Sequence, residues 1–233
     1  KTLGNKLDRQ YHALPHVAGT PFCLAVADFH APGSMVWSRE GLIGYLYGMG
    51  AAEVEVNGIK RAVPTEITRL LGPSDFPAGL FGNREHRELS AVVFSNACSI
   101  AKFNRVGTSG GLAPEGLRYT RLGQLFDRRP GALRGIPFCL DITTPEYRAL
   151  WPHGYEPWSA ELEVFHNPYA RHKLPFDLVP EAQHWFRSES GELICRAFYE
   201  TSILWSQTVI QGATDPVLTV EALSKVGPAD PDT

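Results

Sequence analysis

The chain has 233 residues, 43% of them hydrophobic and 20% charged, with a formal net charge of -3. That apolar content suffices for one large domain or two small ones, no apolar run reaches the roughly 20 residues that span a bilayer, and the N-terminus lacks the charged-then-apolar layout of a signal peptide. The expected class is a soluble, cytoplasmic globular protein without a membrane partner, and the slight acidity leaves any nucleic-acid contact to a local basic patch.

Leu3, Leu7, Tyr11 and Leu14 fall on one helical face, and after a Pro-Gly break Phe22-Cys23-Leu24-Ala25-Val26-Ala27 forms an apolar run of strand length ending in Asp28-Phe29-His30. The chain begins at Lys1 without an initiating Met, so the expectation is that upstream residues are missing and that the sheet lacks strands on that side. Ser38 suits the N-cap of a helix running to Gly48, with Leu42, Tyr45 and Leu46 facing inward. Glu53-Val54-Glu55-Val56-Asn57-Gly58-Ile59-Lys60 alternates strictly into Asn-Gly, which predicts a hairpin with a type I′ turn and Glu55 opposite Lys60. Glu53 and Glu55 on one strand face read either as an acid/base pair or as a solvated face.

A short helix is expected after Pro64, then a Gly/Pro-rich loop, then a buried strand over residues 89–94. Through Ser95-Asn96 the strand feeds a helix over 97–106, with Asn96 as its N-cap and Lys102 and Arg105 near its negative end. Free N–H groups at such a junction can hold a phosphate, although a capped helix needs no ligand. Between Glu115 and Arg134 the residues Arg118, Arg121, Arg128, Arg129 and Arg134 stand against two acids, a local +3 interleaved with Tyr119 and Phe126. Basic residues beside aromatics can grip a phosphodiester backbone and stack bases.

The last third is β-rich: residues 161–165 alternate before His166-Asn167-Pro168, and 184–198 has the pattern of a hairpin around Ser190-Gly191. One domain is expected over 1–226, with a disordered tail over 227–233. Gly19-Thr20-Pro21-Phe22-Cys23-Leu24 echoes at Gly135-Ile136-Pro137-Phe138-Cys139-Leu140, two similar entries into strands. Cys23, Cys98, Cys139 and Cys195 lie far apart among apolar residues, the pattern of buried free thiols.

The segment from Leu14-Pro15-His16-Val17-Ala18-Gly19 through Ala27-Asp28-Phe29-His30-Ala31-Pro32 resembles a group of uncharacterised bacterial proteins, as do Phe94-Ser95-Asn96-Ala97-Cys98-Ser99-Ile100-Ala101-Lys102-Phe103-Asn104-Arg105 and Val164-Phe165-His166-Asn167-Pro168-Tyr169-Ala170. Their layout is similar to the later part of restriction-endonuclease-like domains, the PD-(D/E)XK superfamily. The resemblance implies a mixed α/β (α+β) sheet flanked by helices and a metal-dependent nuclease acting on DNA or RNA with Mg²⁺. No E-x-K follows a Pro-Asp on a suitable strand here, so it also implies catalytic carboxylates before Lys1 and a chain inactive by itself.

Within the chain, Lys6 and Gln10 sit one helical turn apart and are the candidates to flank the active face as catalytic residues. Asp28 and His30, two apart on a strand, project to one face and are the candidate metal ligands. Arg118, Arg121, Arg128 and Arg129 are the candidate nucleic-acid contacts. A non-catalytic interaction module on the same scaffold is the alternative from another class. A metal-dependent hydrolase built on Asp28, His30 and His166 is a third.

Overall fold

The computed structural model describes residues 2–28, 34–70, 76–95, 99–127, 129, 132, 134–197 and 202–221, with the backbone alone at 2 and 34–37. His30, Asn96, Cys98, Arg128 and the tail expected over 227–233 lie outside them. In chain order the elements are α1 (Thr2–Leu7), β1 (Cys23–Ala27), α2 (Ser34–Tyr47), β2 (Met49–Val56), β3 (Ile59–Glu66), β4 (Arg69–Leu70), β5 (Phe76–Pro77) and β6 (Ala91–Ser95). There follow α3 (Ile100–Gly107), β7 (Leu117–Leu125), β8 (Ile136–Asp141), α4 (Pro145–Arg148), β9 (Leu162–His166), β10 (Gln183–Arg187), β11 (Leu193–Arg196) and β12 (Ile203–Gly212). The protein is mixed α+β, a multi-strand sheet flanked by helices, and among the described residues no helix is long and apolar enough to cross a membrane. Where the sequence suggests one domain, the contacts group into two compact units, Lys1–Ala97 with Ser159–Phe198, and Cys98–Trp158 with Tyr199–Thr233.

The first unit holds a five-stranded sheet in the order β1-β6-β9-β10-β11, with β1 parallel to β6, β6 antiparallel to β9 and β9 parallel to β10. Because side chains alternate along a strand, Leu24, Val26, Val92, Phe94, Phe165 and Trp185 share one face, and Leu42, Leu46 and Tyr47 of α2 close over it. The Tyr47 hydroxyl lies 2.9 Å from the His166 carbonyl and 2.7 Å from that of Trp185, donating to one at a time. The same layer buries an ion pair, in which Arg39 donates to the Glu163 carboxylate while Trp185 Nε1 donates to its other oxygen at 2.8 Å. Helix α2 stops at Gly48 (φ 67°), whose side of the backbone lies against Gly79, and the N–H groups of Leu80 and Phe81 take the carbonyls of Tyr45 and Leu46.

Several boundaries differ from the sequence reading. Leu3 and Leu7 pack on the core, but α1 ends at Leu7. Past it each turn offers a single apolar side chain, too little to hold a helix to a sheet. The chain turns through Gln10 (φ 51°) into a 3-10 turn at Tyr11–Ala13 that leaves Leu14 exposed. Helix α2 begins at Ser34, so Ser38 is interior and its hydroxyl donates to the Asp28 carboxylate instead of capping. The helix expected after Pro64 is absent because β3 keeps eight residues in register with β2; Pro64, opposite Ala51, sits in a two-stranded ribbon where a missing N–H is tolerated. The Asn57-Gly58 turn forms as expected, with φ of 53° and 75°, and Glu55 is opposite Lys60. The Lys60 ammonium meets Glu53, its diagonal neighbour on the same face, at 2.7 Å. Cys23 and Cys139 are half-buried free thiols, whereas Cys195 is exposed.

The second unit pairs β12-β7-β8 antiparallel. The strand-to-helix junction at 95–100 divides between the units, and α3 starts at Ile100 with Ser99 at its N-cap. The two echoed hexapeptides enter different sheets in different units: Pro21-Phe22 precedes β1, whereas Pro137-Phe138 lies inside β8.

Candidate functional site

Strand β1 is the outer strand of its sheet, and a cavity of about 620 Å³ lies along it. Leu24, Ala25, Val26 and Ala27 form one wall, Leu3 and Lys6 of α1 with Tyr11 another, and Tyr45, Leu70 and Phe76 complete it. Phe22 turns both its N–H and its C=O to Ser90, on the β6 side. Strand β1 has no second strand neighbour among the described residues, so every second residue of it turns its main-chain groups away from β6, along the wall formed by Leu24, Ala25, Val26 and Ala27. Native edge strands are guarded by charge, proline or a bulge. Cys23-Leu24-Ala25-Val26-Ala27 carries none of these, whereas β11 at the other edge ends in Arg196.

Of the candidate catalytic pair, Lys6 lines this cavity, with its ammonium 5.9 Å from the Tyr11 ring centre, and Gln10, beyond the end of the helix, does not. The Tyr11 phenol is held below its usual pKa, chiefly by the hydrogen bond that Arg9 donates to it at 3.2 Å. Asp28 follows β1 directly and takes the Ser38 hydroxyl. With His30 outside the described residues, the candidate pair offers Mg²⁺ one carboxylate, where that ion asks for a near-octahedral oxygen set. Among the described residues no group of three or more His, Cys, Asp or Glu side chains is placed to hold a metal.

Among the described residues, Arg118, Arg121 and Arg129 of the candidate nucleic-acid set have separate settings. Arg121 is 0% exposed in the second unit, its Nε–H donating to Ser206 at 2.9 Å and its Nη1 lying 3.4 Å from Glu156. Arg118 donates to the carbonyls of Ala213 and Asp215, and Arg129 is clamped on Asp127. Lys102 and Arg105, read from the sequence as complementing a helix dipole, are buried on Glu156 as well: Arg105 grips both carboxylate oxygens at 2.7 and 3.0 Å, and Lys102 stands 3.9 Å away. Tyr147 donates to the same carboxylate at 2.6 Å. Burial pushes the Glu156 carboxyl up, but Arg121 and Arg105 outweigh it and hold its pKa at about 2. Helix α3 is thereby inverted, its cations inside and its Phe103 64% exposed beside the Trp158 ring.

His166 closes β9 on the opposite sheet face, with its Nε2 2.8 Å from Nδ1 of His184 on β10. Nε2 of His184 is 3.0 Å from the Val179 carbonyl, and Phe176 stacks on His166 at 4.4 Å. Burial, then the neighbouring His184, lowers the His166 pKa from 6.5 to about 4, and burial lowers that of His184 too. A histidine held neutral in the fold supports stability fully above its unfolded pKa, and that support drains as pH falls from about 6.5 toward 4. The unfolding free energy read from urea titrations is therefore expected to drop between pH 7 and pH 4.5, by at most about 3 kcal/mol at ~1.4 kcal/mol per pKa unit and less where water reaches the pair, with the midpoint falling accordingly. A flat midpoint across that window would show that the pair accepts protons without penalty. The sequence suggests His166 as a ligand of a metal-dependent hydrolase or as part of a His-Asn-Pro turn, and does not single out His184 or Glu156. The one available signal was that both histidines occupy the inward parity of alternating strands.

Compared with models of known protein families, with curated proteins and with solved structures, this chain matches none.

Proposed function

We propose that this chain is a non-catalytic interaction module that takes an extended peptide from a protein partner onto the free edge of β1. The observation that carries the reading is that edge: β1 ends the strand order of its sheet, and its outer side runs along a cavity otherwise walled by apolar and tyrosine side chains and Lys6. Such an edge selects a strand, because an added strand satisfies every second backbone group while its alternate side chains enter the groove. Walls from α1 and from Leu70 and Phe76 flank the β1 edge, and Lys6 favours an acidic residue in the partner. A restriction-endonuclease-like scaffold, used without its chemistry, is compatible with the mixed sheet under α2. The nuclease reading, with Mg²⁺ acting on DNA or RNA, draws less support, since of the described arginines assigned to phosphates Arg121 is buried and Arg118 and Arg129 are held at the surface by groups of the chain itself.

Selection of a random heptapeptide display library on the immobilised chain tests this. The expected products alternate apolar residues and bind with affinity reduced about tenfold or more in Ala25→Pro, which puts a ring and no N–H into the β1 wall of the cavity. No enrichment, or equal capture by a folded Ala25→Pro chain, would overturn the reading. Cleavage of DNA with Mg²⁺ that is lost in Asp28→Ala would restore the nuclease.

A further inference from the structure

The second cavity of interest lies on the opposite face of the first unit's sheet, away from the β1 groove. Its chemistry follows from proton bookkeeping. The Val179 carbonyl can only accept, so Nε2 of His184 carries the hydrogen in that 3.0 Å contact. In a neutral ring Nδ1 of His184 is then a lone pair, and the 2.8 Å contact to it requires the hydrogen on Nε2 of His166. His166, neutral in turn, is left with a lone pair on Nδ1, and among the described residues nothing donates to it. The ring is only 8% exposed. It lines a cavity of about 370 Å³ to which His184 does not contribute, as expected if the cavity lies on the Nδ1 side.

The remaining walls of that cavity define what would fill it. Lys173 lines it and, among the described residues, no carboxylate does, so its potential is positive, while the Arg187 guanidinium is spent on the carbonyls of Tyr47 and Gly191 at 2.6 and 2.7 Å. Phe176 and Phe186 meet edge to face at 5.2 Å and, with Leu174, supply an apolar surface suited to a flat ring. An acceptor on a buried ring, the Lys173 ammonium and an aromatic wall converge in a volume typical of small-molecule sites. We propose that this cavity is a binding site for a small aromatic acid that carries a hydroxyl or N–H donor. The donor meets His166 Nδ1, the acid group faces Lys173, and the ring packs on Phe176 and Phe186. This site is independent of the β1 edge and stands whether or not that edge binds a peptide.

The test titrates the full chain with 4-hydroxybenzoate, benzoate and 4-hydroxybenzyl alcohol, followed by calorimetry and by the shifts of the histidine ring protons. The expected result is saturable binding of 4-hydroxybenzoate, with both analogues about tenfold weaker, one lacking the donor and the other the charge. In His166→Phe, with folding checked by circular dichroism, the preference over benzoate should vanish. In Lys173→Ala, an exposed position that leaves the core untouched, the preference over the alcohol should shrink. Absence of saturation by about 10 mM for all three probes, or a preference over benzoate that survives His166→Phe, would overturn the proposal. Should His166→Phe fail to fold, an unchanged preference over the alcohol in Lys173→Ala would do so.

Discussion

Replacing Glu156 by glutamine is expected to remove about 3–5 kcal/mol from the stability of the second unit, the cost of breaking a buried charge network by taking away one partner. The carboxylate serves Lys102, Arg105, Arg121 and Tyr147 at once, and all four are buried. A glutamine keeps the volume but deprives three cations of their shared counter-charge in a medium where solvation cannot replace it. Against a typical domain stability of roughly 5–15 kcal/mol, the loss should bring the first urea transition to a much lower midpoint. Lys102→Met added to Glu156→Gln should recover part of it, because one of the stranded charges goes too. The same network predicts acid lability: Glu156, with its pKa depressed to about 2, contributes stability that is complete above the usual 4.5 and lost between 4.5 and 2. A glutamine variant within about 0.5 kcal/mol of wild type would mean that the cations are held by other means.

Gly123→Ala should be nearly as damaging, through packing instead of charge. Gly123 lies in the central strand of β12-β7-β8, opposite Ser206, where the register slips between Ile203 and Trp205. A Cβ there would stand 2.1 Å from the Trp205 carbonyl oxygen and 2.7 Å from the Ser206 Cα, both backbone atoms that a rotamer change cannot move aside. Opening the pair shifts Ser206, whose hydroxyl takes the Arg121 Nε–H at 2.9 Å, so the disturbance reaches the Glu156 network. About 3 kcal/mol is expected, the upper part of the range for overpacking a core. Combined with Glu156→Gln, the loss should be less than the sum, since the first change already loosens what the second removes. Additive losses in a denaturation series would separate the strand bulge from the ion network.

What was legible in the residues follows physical range. The hairpin at Asn57-Gly58 was readable because turn chemistry and alternation are local, and so were the apolar or alternating runs that became β1, β6, β9, β10 and β11. Lys6 reached a cavity wall as its place beside Leu3 and Leu7 suggested, but Gln10 did not, because the helix ends where apolar spacing thins. Arg121 could not be read locally: flanked by Thr120 and Leu122 it looks like any surface arginine, and its burial depends on a carboxylate 35 positions later. Helix α3 was misleading for the same reason. Its amphipathic pattern is real, but the cations of the polar stripe face a buried acid, so Ile100 and Phe103 point outward.

The interleaving of the two units makes the order of synthesis matter. In the first unit β6 closes against β9 through Ser95 and Leu162, and every residue of the intervening stretch must be made before that pairing can start. At roughly 5–20 residues per second the 67 positions from one to the other take about 3–13 s. For that interval Val92 and Phe94, later fully buried, belong to a two-stranded parallel pair, the least self-sufficient arrangement a strand can have. The second unit waits in turn, because β7 and β8 pair early while β12 arrives last. A nascent chain of this kind carries two unfinished sheets at once, each holding the apolar surface that recruits chaperones.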